Sequence, residues 1–256
     1  KMAGVKIHPI NPETGRQWFF KDGHFGGSLD GIIESGVPEA PEKPHVFEAK
    51  THSLKSFDHL KKNGVEKSKP VHYAQMQVYM GAYDIDRALY YAVCKDNDEI
   101  YTERVRLKKT EAKKLNDKAQ DIIASDRMPE PLSADPTWWE CKFCDAHSFC
   151  HGHNTSREVN CRTCAHSTAL RDGTWHCNRW DSEIPAVEFQ RAGCDDHVPH
   201  PDLVPWTLKG GDEVSAIYEV EGQDVKVGCG GLLSRDLLHS DENVSEIVRR
   251  FEGRVC

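Results

Sequence analysis

Three side chains carry a pattern suited to phosphodiester chemistry: Asp30 in Leu29-Asp30-Gly31, and Glu48 and Lys50 in Val46-Phe47-Glu48-Ala49-Lys50. Positions i and i+2 of a strand point to the same face, so Glu48 and Lys50 project together. Asp30, on the strand before, can reach the same point. Paired carboxylates hold Mg2+ through oxygen ligands, and such an ion activates water and neutralises a phosphoryl oxygen. A lysine beside it orients that water or stabilises the negative charge that develops. The competing reading is a surface Glu48–Lys50 pair with Asp30 as a turn residue, because Asp…Glu-X-Lys also arises by chance.

Such a site needs elements to hold it. The stretch from Gly26 to Ile33 reads as a turn entering a strand with Asp30 inside it. The Pro- and Glu-rich stretch from Pro38 to Pro44 reads as a loop leading to a second strand over His45–Lys50. After Pro70, the run from His72 to Met80 has helical character, with Gln75 and Tyr79 one turn apart on one face. Between that strand and helix lie Lys50, Lys55, Lys61, Lys62, Lys67 and Lys69 against Asp58 and Glu66, in a chain whose net charge is −8. The global balance argues against a general nucleic-acid coat. A local basic run beside such a centre suits phosphate contacts without sequence readout. Lys55, Lys61, Lys62, Lys67 and Lys69 are therefore DNA-tracking candidates, against the alternative of a solvated helix face. His52, His59 and His72 read as polar surface residues rather than metal ligands.

Taken in order, Asp30, Glu48-X-Lys50 and the helix motif Gln75-Met76-Gln77-Val78-Tyr79 resemble the PD-(D/E)XK nuclease superfamily. Within it the chain looks like the RecB-like and lambda-exonuclease-like branch. With Gly23 to Gly31 included, it is similar to phage-encoded exonucleases. The resemblance covers roughly the first 150 residues, a usual span for one domain. It implies an α/β (α+β) fold of the restriction-endonuclease-like kind, a mixed sheet flanked by helices. It further implies Asp30, Glu48 and the backbone carbonyl of Ala49 as ligands of Mg2+ or Mn2+, and Lys50 as the catalytic lysine. Gln75 and Tyr79 become site-shaping or DNA-contacting residues. Relatives often add an acidic residue from a helix before the first strand. Here only a short run precedes Trp18, Glu13 lies in a turn, and the missing initiator Met leads us to expect further N-terminal residues ahead of Lys1.

The rest of the first 135 residues reads as support. Ala88–Cys94 is an apolar strand run and Glu99–Leu107 alternates as a neighbouring or edge strand. Thr110 is placed to cap a helix to about Ser125 that buries Leu115, Ala119, Ile122 and Ile123. A Pro-rich boundary spans Asp126 to Pro136, so the nuclease-like core is expected over residues 1–135.

Beyond it, seven of the ten cysteines fall between Cys141 and Cys194. No leader or transmembrane run is visible, so a reducing, cytoplasmic setting is the expectation, with metal binding rather than disulfides as the use of these thiols. Cys141, Cys144 and Cys150, with His153 as a nearby fourth ligand, suit a Cys3His zinc site over residues 136–157. The same Cys-X2-Cys-X5-Cys after such a core also resembles iron–sulfur nucleases, including the CRISPR adaptation exonucleases. Their [4Fe–4S] cluster takes a further cysteine from ahead of the nuclease motifs. Spacing alone does not separate the metals, and the histidines favour zinc. Cys161, Cys164, Cys177 and Cys194 form a four-thiolate set of the structural-zinc kind over residues 158–204. That segment has too few aliphatic residues to fold without a metal. Residues 205–256 read as a hairpin about Glu221-Gly222 with two short helices.

The expected function is a Mg2+- or Mn2+-dependent deoxyribonuclease, an exonuclease on double-stranded ends in recombination or DNA processing. Its expected partners are DNA and a single-strand annealing or recombination protein. No membrane association is expected, and a homo-oligomer stays open. So do a structure-selective endonuclease with the same centre, an iron–sulfur nuclease of the CRISPR-adaptation type, and a non-catalytic zinc-dependent DNA-binding module.

Overall fold

The structure is a computed structural model that describes residues 4–151 and 156–250. The chain divides into two compact units, Lys1–Ile123 and Ala124–Cys256.

The first unit runs β1 (Lys6–His8), a hairpin of β2 (Phe19–Asp22) and β3 (Phe25–Ser28), β4 (Gly31–Ser35), β5 (His45–His52), α1 (Leu54–Ser68), α2 (Pro70–Ala82), β6 (Arg87–Cys94), β7 (Ile100–Arg106) and α3 (Lys109–Ala124). Five strands make one mixed sheet in the order β1-β4-β5-β6-β7. β5 and β6 are parallel, and the other neighbours are antiparallel. A parallel pair needs a long crossover, which α1 and α2 supply. The fold is the expected α/β (α+β) class, a mixed sheet flanked by helices, with additional small sheets.

Residue parity along β5 and β6 sorts side chains between the two faces. Val46, Ala88, Tyr90, Ala92 and Cys94 pack with Phe57, Leu60, Val65, Met76 and Met80 of the helices. Phe47 and Leu89, one residue out of phase, join Ile33 and Val37 on the opposite face. Register sets Glu48 beside Tyr90 and Lys50 beside Ala92. Val46, Glu48, Lys50 and His52 therefore share the helical face.

Local chemistry shapes the crossover. The backbone N–H of Leu54 at the start of α1 donates to Asp96 Oδ2 at 2.6 Å. Gly64, at φ 72°, breaks α1, and the next N–H, of Val65, donates to Glu103 Oε2 at 2.8 Å. Pro70 opens α2, where its missing N–H loses no helical bond. Against expectation, α3 begins one residue before Thr110 and buries only Ala112; Ile122 is exposed.

The second unit holds α4 (Trp139–Lys142), α5 (His147–His151), the small sheet β8 (Ser167–Ala169), β9 (Trp175–Cys177) and β10 (Ser182–Glu183), then α6 (Val187–Ala192). A further sheet follows, β11 (Thr207–Asp212), β12 (Ser215–Val220) and β13 (Gln223–Gly228), with α7 (Ser234–His239) and α8 (Val244–Arg250). The β12–β13 hairpin turns at Glu221-Gly222 as expected. Both residues have positive φ, 51° and 78°, the pair that a two-residue hairpin favours. Tyr218, Val225, Val227, Leu237 and Ile247 bury the apolar core of this sheet and its helices.

Candidate active site

Asp30 lies in the bend one residue ahead of β4 rather than inside a strand. Its Oδ2 accepts the backbone N–H of Ala49 at 2.8 Å, which pins the bend to β5. Lys50 Nζ stands 3.7 Å from the same oxygen and in direct ion-pair contact with Glu48 Oε1. The three residues that the sequence pattern singled out are therefore together. Glu48 is fully buried, and apart from the Lys50 contact neither carboxylate oxygen has a partner among the described residues. Burial drives its carboxyl above the usual range; Lys50 opposes this, and the Asp30 charge adds to it.

A desolvated carboxylate short of donors, beside a second carboxylate, is an all-oxygen donor set that fits Mg2+ or Mn2+. Lys50 brings one positive charge to two carboxylates; a divalent ion would supply the remainder. The Ala49 amide is the part of that residue seen engaged, through Asp30.

α2 closes the site from the helical side. Gln75 Nε2 donates to Tyr79 Oη at 3.0 Å, the i,i+4 pairing expected of one helix face. Burial pushes the Tyr79 hydroxyl's pKa up, and it feels the charges of Glu48, Lys50 and Asp30, so the ring borders the acidic pair. Gly27 of β3 makes room for it: a Cβ there would sit 2.9 Å from Tyr79 Oη and 3.0 Å from its ring. Phe20 stacks edge-on against the same ring, centroids 5.7 Å apart. Gln77 of the same motif turns away from the site. It bonds the Arg106 carbonyl at 2.9 Å and accepts the Lys108 N–H at 2.8 Å, tying α2 to the end of β7.

Two histidines overturn the sequence reading. His52 is buried rather than at the surface, and His72 is half-buried. Both bond the hydroxyl of buried Tyr90, His52 Nε2 at 2.9 Å and His72 Nδ1 at 2.8 Å. Their rings stack at 5.8 Å. Burial first, then nearby lysines including Lys50, holds both imidazoles neutral, with His72 lowered to about 4. The signal available in the sequence was parity: His52 follows Glu48 and Lys50 at the same two-residue spacing, and His72 precedes Gln75 by one helical turn. His59 is exposed, as expected.

The basic run divides. Lys61 pairs with Glu99 at 2.5 Å, and Lys69 turns inward to donate to Ser56 Oγ at 2.6 Å. Lys55, Lys62 and Lys67 are exposed and have no ion pair among the described residues. Lys55 and Lys62, seven apart on α1, share one face.

In the second unit, Cys141, Cys144 and Cys150 line one small cavity of about 60 Å3 together with His147 and His151. Burial pushes the Cys141 thiol up, and Cys144 and Cys150 add to this. His147 Nε2 is engaged with the Pro136 carbonyl at 3.1 Å, whereas His151 Nε2 is buried with no hydrogen-bond partner among the described residues, which leaves His151 as the better-placed donor. His153, the fourth ligand expected from sequence, lies outside the described residues.

Cys161 and Cys164 flank a 3-10 turn capped by Asn160, whose side chain accepts the Arg162 N–H at 2.9 Å. Cys177 ends β9 and Cys194 follows α6. Cys161, Cys177 and Cys194 are electrostatic neighbours of one another. Burial drives Cys164 up to about 11, with Cys194 and Cys161 adding to the rise. Among the described residues, no three His, Cys, Asp or Glu side chains stand in the closed arrangement of a bound ion. Sulfur donors are nonetheless the chemistry that suits zinc. His166 and His197 are buried beside them, with His166 Nε2 and His197 Nδ1 unpartnered.

No helix among the described residues is long and apolar enough to cross a membrane. No protein-family model matches the chain, and no curated protein is similar to it at a meaningful level. A solved structure described as the crystal structure of SSO0001 is 19% identical over 50% of this chain, with a TM-score of 0.32. The match spans 51% of that chain, about half its length.

Proposed function

We propose that the chain is a Mg2+- or Mn2+-dependent deoxyribonuclease that acts as an exonuclease on double-stranded DNA ends. The observation that carries this reading is Glu48: a fully buried carboxylate with Lys50 as its one cationic partner among the described residues, and with Asp30 at the same lysine. A structural ion pair does not need a second carboxylate at that point, whereas a divalent ion does. When bound, such an ion supplies charge neutralisation and an acidified water. Asp30 and Glu48 would hold it, with the Ala49 carbonyl as a third oxygen.

Lys50 supplies a fixed positive charge where negative charge develops on the phosphate. Gln75 and Tyr79 shape the pocket wall facing the strand. Exposed Lys55, Lys62 and Lys67 contact the DNA backbone without reading sequence. The two cysteine sets bind structural zinc, Cys161, Cys164, Cys177 and Cys194 in one, and Cys141, Cys144, Cys150 and His151 in the other, with [4Fe–4S] as the alternative for the latter. A cytoplasmic setting and a recombination partner belong to the same reading.

The test is cleavage of linear duplex and of covalently closed circular DNA with Mg2+ or Mn2+. Linear DNA should be degraded and the circle left intact; a nicked or cut circle favours a structure-selective endonuclease. Lys50→Ala and Asp30→Asn should each lower cleavage by at least about 1,000-fold while DNA is still bound. Full activity in either variant would sink the proposal.

A further inference from the structure

The first unit contains a buried polar chain that the carboxylate site does not use. Lys69 Nζ donates to Ser56 Oγ at 2.6 Å, and Ser56 Oγ lies 3.3 Å from His52 Nδ1. His52 Nε2 is 2.9 Å from Tyr90 Oη, which is 2.8 Å from His72 Nδ1. We infer that these residues form a directed hydrogen-bond chain that presents the Nε2–H of His72 to a phosphate oxygen of the bound DNA strand. This rests on the nuclease reading of the neighbouring site.

Donor and acceptor chemistry leaves two polarities, and one of them ends in a donor. An ammonium only donates, so Ser56 Oγ accepts from Lys69. The serine oxygen has a second lone pair; in the inferred polarity, the serine hydrogen points at His52 Nδ1. That makes His52 an Nε2–H tautomer, which donates to Tyr90 Oη. The single phenolic hydrogen is left for His72 Nδ1, and His72 must carry its own hydrogen on Nε2. The opposite polarity would put a bare Nε2 acceptor at the end of the chain, a poor partner for phosphate. The two polarities are distinguishable in the free protein.

Placement follows from the fold. His72 precedes Gln75 by three residues and Tyr79 by seven, so all three share one face of α2. His52 shares the helical face of β5 with Glu48 and Lys50, and both imidazoles feel the Lys50 charge. His52 and Tyr90 are buried while Ser56, Lys69 and His72 are half-buried, so the chain crosses the interior and its His72 end is partly exposed. A donor whose orientation is set before DNA arrives needs no ordering on binding. In this scheme His72 contacts substrate, and Tyr90, His52, Ser56 and Lys69 are positioning residues.

The experiment has two parts, both on the full chain. Long-range 15N–1H NMR of the imidazoles, without DNA, should find His52 and His72 as Nε2–H tautomers. Tyr90→Phe should release His72 to a tautomer mixture. In Mg2+-dependent cleavage of linear duplex, His72→Ala should raise KM about tenfold, the low end for a hydrogen bond to a charged oxygen, with kcat changed less than about threefold. His72→Gln, which keeps an N–H donor, should recover most of the loss. Tyr90→Phe should raise KM less than His72→Ala does, and adding it to His72→Ala should do nothing further. His72 found as the Nδ1–H tautomer, an unmoved KM in His72→Ala, or additive effects in the double variant would each overturn the inference while leaving the nuclease reading intact. Wild-type protein that leaves linear DNA uncut overturns both.

Discussion

Replacing Glu48 by glutamine tests the site through stability as well as activity. Glu48 is fully buried and ion-paired with Lys50, yet burial raises its carboxyl pKa despite that lysine, so in the fold the charged form is net disfavoured. Glu48→Gln keeps the shape and removes the charge, and with it the ion pair to Lys50, whose partly exposed ammonium keeps some hydration. The expected net effect without divalent ion is a gain of about 1 kcal/mol at pH 7. For a unit of this size that raises Tm by roughly 3–5 °C.

The pH dependence has a definite sign. The folded state holds the Glu48 proton more tightly than the unfolded state. Wild-type stability therefore declines as pH rises from the ordinary carboxylate value through the raised folded one, and the glutamine variant lacks that decline. The gap between the two should close near pH 4. Mg2+ should reverse their order. At a hundredfold excess over Kd, a bound ion stabilises the wild type by about 2.7 kcal/mol, and the variant, having lost a ligand, by far less. Scanning calorimetry of the full chain, in magnesium-depleted buffer without chelator so that thiolate-bound metal stays in place, reads both effects. A variant less stable than wild type without Mg2+, or equal stabilisation of both by Mg2+, would refute the reasoning.

Three other outcomes follow from the same geometry. Gly27→Ala would place its Cβ 2.9 Å from Tyr79 Oη; it should displace the ring from Gln75, cost about 1–3 kcal/mol in urea unfolding and lower cleavage at least about tenfold. His72, neutral with its pKa lowered to about 4, must take up a proton on acid unfolding. Stability should accordingly fall by on the order of 2 kcal/mol from pH 7 to pH 4, and His72→Gln should flatten the profile measured by urea titration. Cys164→Ser should lose about one zinc per chain by elemental analysis and the cooperative unfolding of the second unit. Retention of the metal would remove Cys164 from the ligand set.

Much of the site was legible because its rules are local. Glu48 and Lys50 share a face because strand parity is covalent geometry, and Gln75 meets Tyr79 because a helix turns every 3.6 residues. The Glu221-Gly222 turn was equally plain. The burial of His52 and His72 was not, because it depends on Tyr90, which comes from β6 only after the α1–α2 crossover makes it a parallel neighbour of β5. Two of the expected DNA contacts are diverted to other partners. Glu99, beside β7, takes Lys61, and Ser56 on α1 takes Lys69.

Sequence alone therefore determined which residue types are offered to one face, and hence the carboxylate–lysine chemistry. Tertiary structure decided the environment of that chemistry. It stripped Glu48 of water, set Gly27 under Tyr79, and linked His52 to His72 through a residue from another strand. Periodicity acts between neighbours in the chain, whereas desolvation depends on everything that packs over a group, and only the closed fold brings those parts together.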